Sequence, residues 1–252
     1  MRTVVITGAG GGLGRVTAEG FARQGDRVFA CDADASAVAI LRETGIVTHA
    51  DVVDVSDRQQ IESFFRTVRS KAARVDILIN NVGVAGPRAP VEEIDPVAWA
   101  HTLDANLNAS FWTSRQVLGD MKRQRSGCIL NVSTASVRTL PAGRSPYIVS
   151  KAALESLTLA IAREAGPCNV RCNAVRPGLM DNERLNRVLT RVAEQRGMSL
   201  EAALAEQLQF VSMRAKVAMD EVAAMLLFLA SDEAAHVTGQ IISVDGDVQW
   251  ES

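Results

Sequence analysis

Tyr147 is the only tyrosine of this chain, and Lys151 follows it in the run Tyr147-Ile148-Val149-Ser150-Lys151. On a helix, side chains at i and i+4 leave the same face one turn apart. A phenol ordinarily titrates near pH ~10, and a cation within a few ångströms favours the phenolate and draws that value down. A phenol brought toward neutrality can exchange a proton with an alcohol or a carbonyl, which is the work of a general acid/base. The same pentapeptide also suits a half-buried core aromatic followed by a solvated lysine. Its chemistry therefore depends on whether a cofactor site accompanies it.

Such a site is written near the N-terminus. Thr7-Gly8-Ala9-Gly10-Gly11-Gly12-Leu13-Gly14 joins a strand-like run, 3–7, to a helical pattern, 13–24. Glycines there let the backbone turn tightly and approach a pyrophosphate, whose charge rests on free N–H groups at the helix N-terminus. The next strand pattern, 27–31, leads into Asp32, at the distance of a ribose-binding acid. A carboxylate at that point accepts hydrogen bonds from both adenosine ribose hydroxyls and repels a 2′-phosphate. Position 11 carries no Arg or Lys, and Ala33 follows Asp32, so NAD is expected over NADP. A glycine turn of purely structural use is the competing reading.

These residues need elements to hold them. Strand patterns at 3–7, 27–31, 47–50, 76–79, 128–132, 170–175 and 241–244 alternate with helical ones at 13–24, 35–42, 58–71, 98–123, 146–164, 185–210 and 221–230. Alternation with short connections implies right-handed crossovers and an α/β, Rossmann-like doubly wound parallel sheet with helices on both faces. Nothing resembling a linker or repeat interrupts it, so residues 1–252 read as one domain. The stretches 152–162 and 222–230 are apolar on every side, whereas a helix covering a sheet needs one apolar stripe. A second buried face, in a homo-oligomeric dimer or tetramer, is the expectation.

Composition narrows the partners. The chain has 252 residues, 47% of them hydrophobic and 22% charged, which suits a globular core. Its net charge is −2, from 27 basic and 29 acidic residues without a charge block, which argues against nucleic acid and anionic membrane. The longest strongly apolar run, 222–230, is too short to span a bilayer, and no signal-peptide pattern follows Met1, so a cytoplasmic location is expected. Cys31, Cys128, Cys168 and Cys172 lack paired zinc spacing and read as free, buried thiols. His49, His101 and His236 fall on separate elements, so no metal is expected. The Asn-x-Ser matches at Asn108 and Asn131 carry no weight in a cytoplasmic protein.

Taken together these motifs resemble those of the short-chain dehydrogenase/reductase family, in its single-domain branch, over nearly the whole chain. The family's TGxxxGxG is matched with Gly8, Gly12 and Gly14 at its glycine positions. Its adenine-contacting D-V resembles Asp54-Val55, with Asp51-Val52 as a rival. Its NNAG reads Asn80-Asn81-Val82-Gly83, and its helix asparagine matches Asn106. The resemblance implies a dinucleotide held by Gly8, Gly12, Leu13, Gly14, Asp32, Asp54, Val55, Asn81, Gly83, Tyr147, Lys151, Pro177 and Gly178.

Two positions depart from the family. Its catalytic serine usually lies thirteen residues before the tyrosine, which here is Thr134, preceded by Ser133. Thr134 is the favoured hydroxyl, Ser133 the alternative and Ser136 a distant third. After Pro177-Gly178, Asn182 stands about where the family places a threonine that bonds the nicotinamide carboxamide, and a loop or cap asparagine is the other reading. The implied mechanism has Tyr147 taking the hydroxyl proton of a secondary alcohol while hydride passes to nicotinamide. Lys151 would bond the nicotinamide ribose, Asn106 would hold a relay water, and Thr134 would orient the reacting oxygen. The substrate would be a small alcohol or ketone, and an anionic one if Arg88, Arg138 or Arg144 line the pocket instead of solvated loops. Residues 183–215 resemble the family's substrate lid. The alternatives are an NADPH-dependent 3-oxoacyl-type reductase, which lacks its basic loop residue here, and a non-catalytic dinucleotide sensor, which would have lost Tyr147, Lys151 or the hydroxyl.

Overall fold

The computed structural model describes residues 1–249, and of Arg184 its backbone alone. Seven strands form one parallel sheet: β1 (Thr3–Thr7), β2 (Arg27–Asp32), β3 (His49–Val52), β4 (Ile77–Asn80), β5 (Gly127–Val132), β6 (Val170–Pro177) and β7 (Ile241–Val244). Their spatial order is β3-β2-β1-β4-β5-β6-β7, every neighbouring pair parallel. Chain order therefore reverses between β1 and β4, and a crevice opens beyond the carboxyl ends of the strands at that point. Strand β1 is buried along its whole length, as a central parallel strand covered on both faces must be.

Side-chain alternation divides the core. Val4, Ile6, Val28, Ala30, Ile77, Ile79 and Leu130 face one layer of helices; Val5, Phe29, Leu78 and Ile129 face the other. The first layer includes α1 (Gly12–Arg23), α2 (Ala35–Thr44) and α10 (Met219–Leu229); the second includes α3 (Arg58–Lys71), α5 (Ala109–Gln124) and α7 (Ser145–Ala165). Asp34 and Asp57 cap α2 and α3 by accepting backbone N–H bonds, which fixes where these crossovers re-enter the helical layers.

The expected elements are found with shifted bounds. The third strand runs 49–52 instead of 47–50, because His49 is the first residue in register with Phe29 of β2. The pattern at 98–123 is α4 (Pro96–Leu103), a π-helical turn at Asp104–Asn108, and α5. The pattern at 185–210 breaks into α8 (Glu183–Arg196) and α9 (Leu200–Leu208). Gly197 takes a left-handed φ of 63° there, and the Ser199 side chain caps α9. A short α6 (Ser136–Thr139) follows β5.

The all-round apolarity of 222–230 has a local explanation. Val222, Ala223, Leu226 and Leu229 enter the core while Leu227 packs on the bare backbone of Gly20 in α1, which leaves Phe228 outward.

Candidate active site

The glycine loop is shaped by close approach of backbone to backbone. Gly8 holds φ at +66°, and a Cβ at Gly14 would lie 2.1 Å from the Gly8 carbonyl oxygen. Space on the outer side is open, since a Cβ at Gly11 or Gly12 meets no atom within 4 Å. Gly11, the N-cap of α1, has no side chain to satisfy the first N–H groups of the helix. Leu13 is buried beneath the loop in the core. Such an open cradle of bare N–H groups fits a pyrophosphate.

Asp32 closes one side of the cradle. Its Oδ2 accepts from Gly10 N at 2.8 Å and its Oδ1 from Asp34 N at 3.0 Å, so the carboxylate is fixed at the carboxyl end of β2. Asn81 closes the other side: its Nδ2 donates to Thr7 O at 3.1 Å and Gly8 O at 2.9 Å. The two Asp-Val pairs separate cleanly. Asp51 lies inside β3 and pairs with Arg42 and His49, while Asp54-Val55 lies in the loop beyond that strand, with Val55 buried and Asp54 bonded to Ser56.

Tyr147 and Lys151 both lie on α7, and both are buried. The Lys151 ammonium donates to Val132 O at 2.7 Å and Val82 O at 3.4 Å, and a Cβ at Gly83 would approach it to 3.2 Å. A side chain there would crowd the ammonium, which would have to give by a few tenths of an ångström. The Arg144 guanidinium stacks over the Tyr147 ring, 4.3 Å from its centroid. Its Nη1 also donates to Ser136 Oγ at 3.4 Å.

Asn106 sits in the π-helical turn, fully buried, where the extra residue of the turn directs it at α7. Its Oδ1 accepts from Val84 N at 2.8 Å, and its Nδ2 donates to Val84 O at 3.0 Å and to Ser150 Oγ at 3.0 Å. Ser150 in turn donates to Tyr147 O at 2.8 Å. Asn106 thereby ties the segment after β4 to the helix that carries Tyr147 and Lys151. Ser150 was not singled out in the sequence, although its place between those two residues puts it on the same helix.

The two neighbouring hydroxyls have different surroundings. Ser133 is buried and donates to Glu155 Oε1 at 2.6 Å; Thr134 is partly exposed, and its Oγ1 accepts from Ser136 N at 3.2 Å. Pro177 ends β6, and its carbonyl accepts from Ala135 N at 3.0 Å. Gly178 follows where a Cβ would lie 2.6 Å from Asp245 Cα. Asn182 caps α8 through Leu185 N at 2.9 Å, so its side chain is engaged as a helix cap. Of the three arginines, Arg144 reaches Tyr147, Arg138 lies 3.8 Å from Asp245, and Arg88 is exposed.

No group of three or more His, Cys, Asp or Glu among the described residues is arranged to hold a metal. None of their helices is long and apolar enough to cross a membrane. Burial pushes the Cys31, Cys128 and Cys172 thiols up, and Cys168 is partly exposed.

The chain as a whole is similar to known proteins. Residues 8–248 match a family model described as enoyl-(acyl carrier protein) reductase. The chain is 33% identical to a probable short-chain type dehydrogenase/reductase of Bradyrhizobium diazoefficiens, across 97% of this chain and 86% of that one. Among solved structures, NAD+-bound xylitol dehydrogenase superposes with a TM-score of 0.89 at 26% identity, covering 97% of this chain and 98% of the other. An actinorhodin polyketide ketoreductase with NADPH superposes with a TM-score of 0.91 at 28% identity, covering 98% and 97%.

Proposed function

The chain belongs to the short-chain dehydrogenase/reductase family, and on that premise we propose that it interconverts a secondary alcohol and a ketone, using NAD. The observation that carries this reading is the buried Lys151 ammonium, held by Val132 O and Val82 O beside Gly83, one helical turn from Tyr147. When bound, the dinucleotide supplies the hydride acceptor for oxidation and the donor for reduction.

The protein's own residues do the rest. Tyr147 moves the proton: its phenol takes the hydroxyl proton of the alcohol, or returns it to the oxygen of the ketone. Lys151, one turn along α7 from Tyr147, would bond the nicotinamide ribose. Thr134 donates its hydroxyl hydrogen to the reacting oxygen, stabilising the charge that develops there. Asn106 holds the turn between α4 and α5 against α7 and would hold the water that links Lys151 to solvent. The loop glycines Gly8, Gly12 and Gly14 with Leu13, flanked by Asn81 and Gly83, would seat the dinucleotide. Asp54 and Val55 would meet its adenine, and Pro177 and Gly178 its nicotinamide end.

NAD is favoured because the fixed carboxylate of Asp32 can accept from two ribose hydroxyls and would repel a 2′-phosphate. A substrate carrying a carboxylate would meet Arg144 beside Tyr147. Helices α8 and α9, which share a small apolar cluster of Leu189, Ala193 and Ala203, would form the lid over it, within 183–215. Exposed Val149 and Leu159 on α7, with Phe111 on α5, suit a homo-oligomeric contact.

The test is a spectrophotometric screen of secondary alcohols, sugar acids and hydroxy acids with NAD and with NADP. Turnover of at least one alcohol is expected in the wild type, with Tyr147→Phe binding NADH as the wild type does and losing turnover. Undiminished turnover in Tyr147→Phe would exclude the mechanism. NADH binding without turnover of any alcohol would favour the non-catalytic sensor instead.

A further inference from the structure

Glu155 lies on α7 one turn beyond Lys151 and two beyond Tyr147, and its carboxylate is buried. Both of its oxygens are engaged. Oε1 accepts from Ser133 Oγ at 2.6 Å and from Arg176 Nε at 2.7 Å, and Oε2 accepts from Arg176 Nη2 at 2.5 Å. Arg176, on β6, also feels the charge of the buried Asp245. Its hydrogen bond to Glu155 raises the guanidinium further above its ordinary value. A buried ion pair is costly to assemble, and removing one partner leaves the other charge stranded. Nothing in the proton transfer uses this pair.

Its geometry gives it another use. Lys151 and Glu155, on successive turns of α7, grip consecutive residues at the end of β5: Lys151 holds the Val132 carbonyl and Glu155 holds the Ser133 hydroxyl. A serine has one O–H to give. Ser133 spends that hydrogen on Glu155, whereas Thr134 receives a bond from Ser136 N and keeps its own hydrogen to donate. Beyond β5, Ser133 N bonds Val175 O at 2.8 Å and Ala135 N bonds Pro177 O at 3.0 Å, so the corner is pinned on the β6 side as well.

We propose that Glu155, clamped by Arg176, is the positioning residue of the hydroxyl corner: it withdraws Ser133 from the substrate and fixes Thr134 opposite Tyr147. The assignment rests on the reading of Thr134 as the hydroxyl that meets the reacting oxygen. Glu155 itself touches neither substrate nor dinucleotide. A neutral amide at 155 keeps a carbonyl oxygen for Ser133 but turns its NH2 toward the Arg176 Nη2 donor, so Glu155→Gln should hold the corner better than Glu155→Ala and less well than the wild type.

The experiment is hydrogen exchange by mass spectrometry on the full chain, followed across residues 133–136. Exchange there should quicken about tenfold or more in Glu155→Ala, the loss of a charge-assisted hydrogen bond, and less than that in Glu155→Gln. On the alcohol that the screen selects, kcat should fall about tenfold to hundredfold in Glu155→Ala while KM for NAD holds, with partial rescue in Glu155→Gln. Ser133→Ala should reproduce the loss, and adding Glu155→Ala to it should cost little more in kcat, the stranded Arg176 showing instead in unfolding stability. Where Glu155→Ala does not fold, Ser133→Ala, which leaves the Glu155–Arg176 pair intact, reads the same exchange. Unchanged exchange across 133–136, or independent multiplicative losses in the double variant, would overturn the proposal. A wild type that turns over no alcohol would instead overturn the oxidoreductase reading, and the exchange arm would still decide the role of Glu155.

Discussion

Gly14 meets Gly8 with no room for a side chain between them: a Cβ on Gly14 would stand 2.1 Å from the Gly8 carbonyl oxygen and 2.5 Å from Asn81 Nδ2. The first turn of α1 and the end of β1 are thus packed backbone on backbone, with the amide of Asn81 as the third party. Gly14→Ala must displace backbone, and it is expected to cost about 3 kcal/mol or more and to weaken dinucleotide binding. Gly12→Ala meets open space but keeps a φ of +54°, for about 1–2 kcal/mol. Denaturant unfolding of the two variants side by side checks the order, and a Gly14→Ala protein as stable as Gly12→Ala would refute this account of the loop.

Coenzyme choice is predicted to follow the carboxylate of Asp32. Replacing Asp32 by Ala together with Ala33 by Arg removes the repulsion and supplies a phosphate partner. The ratio of NADPH to NADH affinity should rise by about a hundredfold, read from the fluorescence of bound coenzyme, with no substrate needed. An unmoved ratio would show that Asp32 serves only to hold Gly10 and Asp34.

Exchanging the two hydroxyls separates their roles. Thr134→Ala is expected to lower kcat/KM by about a hundredfold or more, as loss of a hydrogen bond formed to the developing charge does, and Thr134→Ser should restore most of it. Should Thr134→Ala be the milder of the two alanine variants, with Ser133→Ala the more severe, Ser133 would be the reacting hydroxyl.

Alkaline stability is predicted to depend on the buried thiols. Burial pushes the Cys128 thiol from an ordinary 9.0 up to about 11, and burial first, then the Asp32 charge, raises Cys31 as well. The folded chain therefore keeps protons that the unfolded chain releases. This contribution is complete below pH 9 and is lost as pH climbs toward 11, roughly 2–3 kcal/mol from Cys128 alone. Urea unfolding between pH 8 and pH 10.5 should show the fall, and Cys128→Ala should lessen it by about a third, since Cys31 and Cys172 are raised by burial as well. At pH 8 an aromatic disulfide reagent should label Cys168 and spare Cys31, Cys128 and Cys172.

What the sequence determined by itself is the part that rests on local rules. Strand and helix periods, the glycine loop between β1 and α1, the acid after β2, and the i, i+4 spacing of Tyr147 and Lys151 need only neighbouring residues, and they were enough to imply a doubly wound sheet and a dinucleotide site. What the tertiary structure decided depends on residues far apart in the chain. Spacing from Tyr147 favours Thr134 over Ser133, but their surroundings differ only once α7 brings Glu155 and β6 brings Arg176 to Ser133. Asp51-Val52 rivals the favoured Asp54-Val55 in the sequence, and the pairing of β2 with β3 places the first inside the strand and the second beyond it. A pattern of one or two helices at 98–123 could not reveal that a π-helical turn aims Asn106 at Ser150, because one inserted residue changes facing without changing composition. Backbone periodicity is local and is therefore legible. The surroundings of two adjacent hydroxyls are set apart by a buried charge whose partner lies on another strand, and only folding brings the two together.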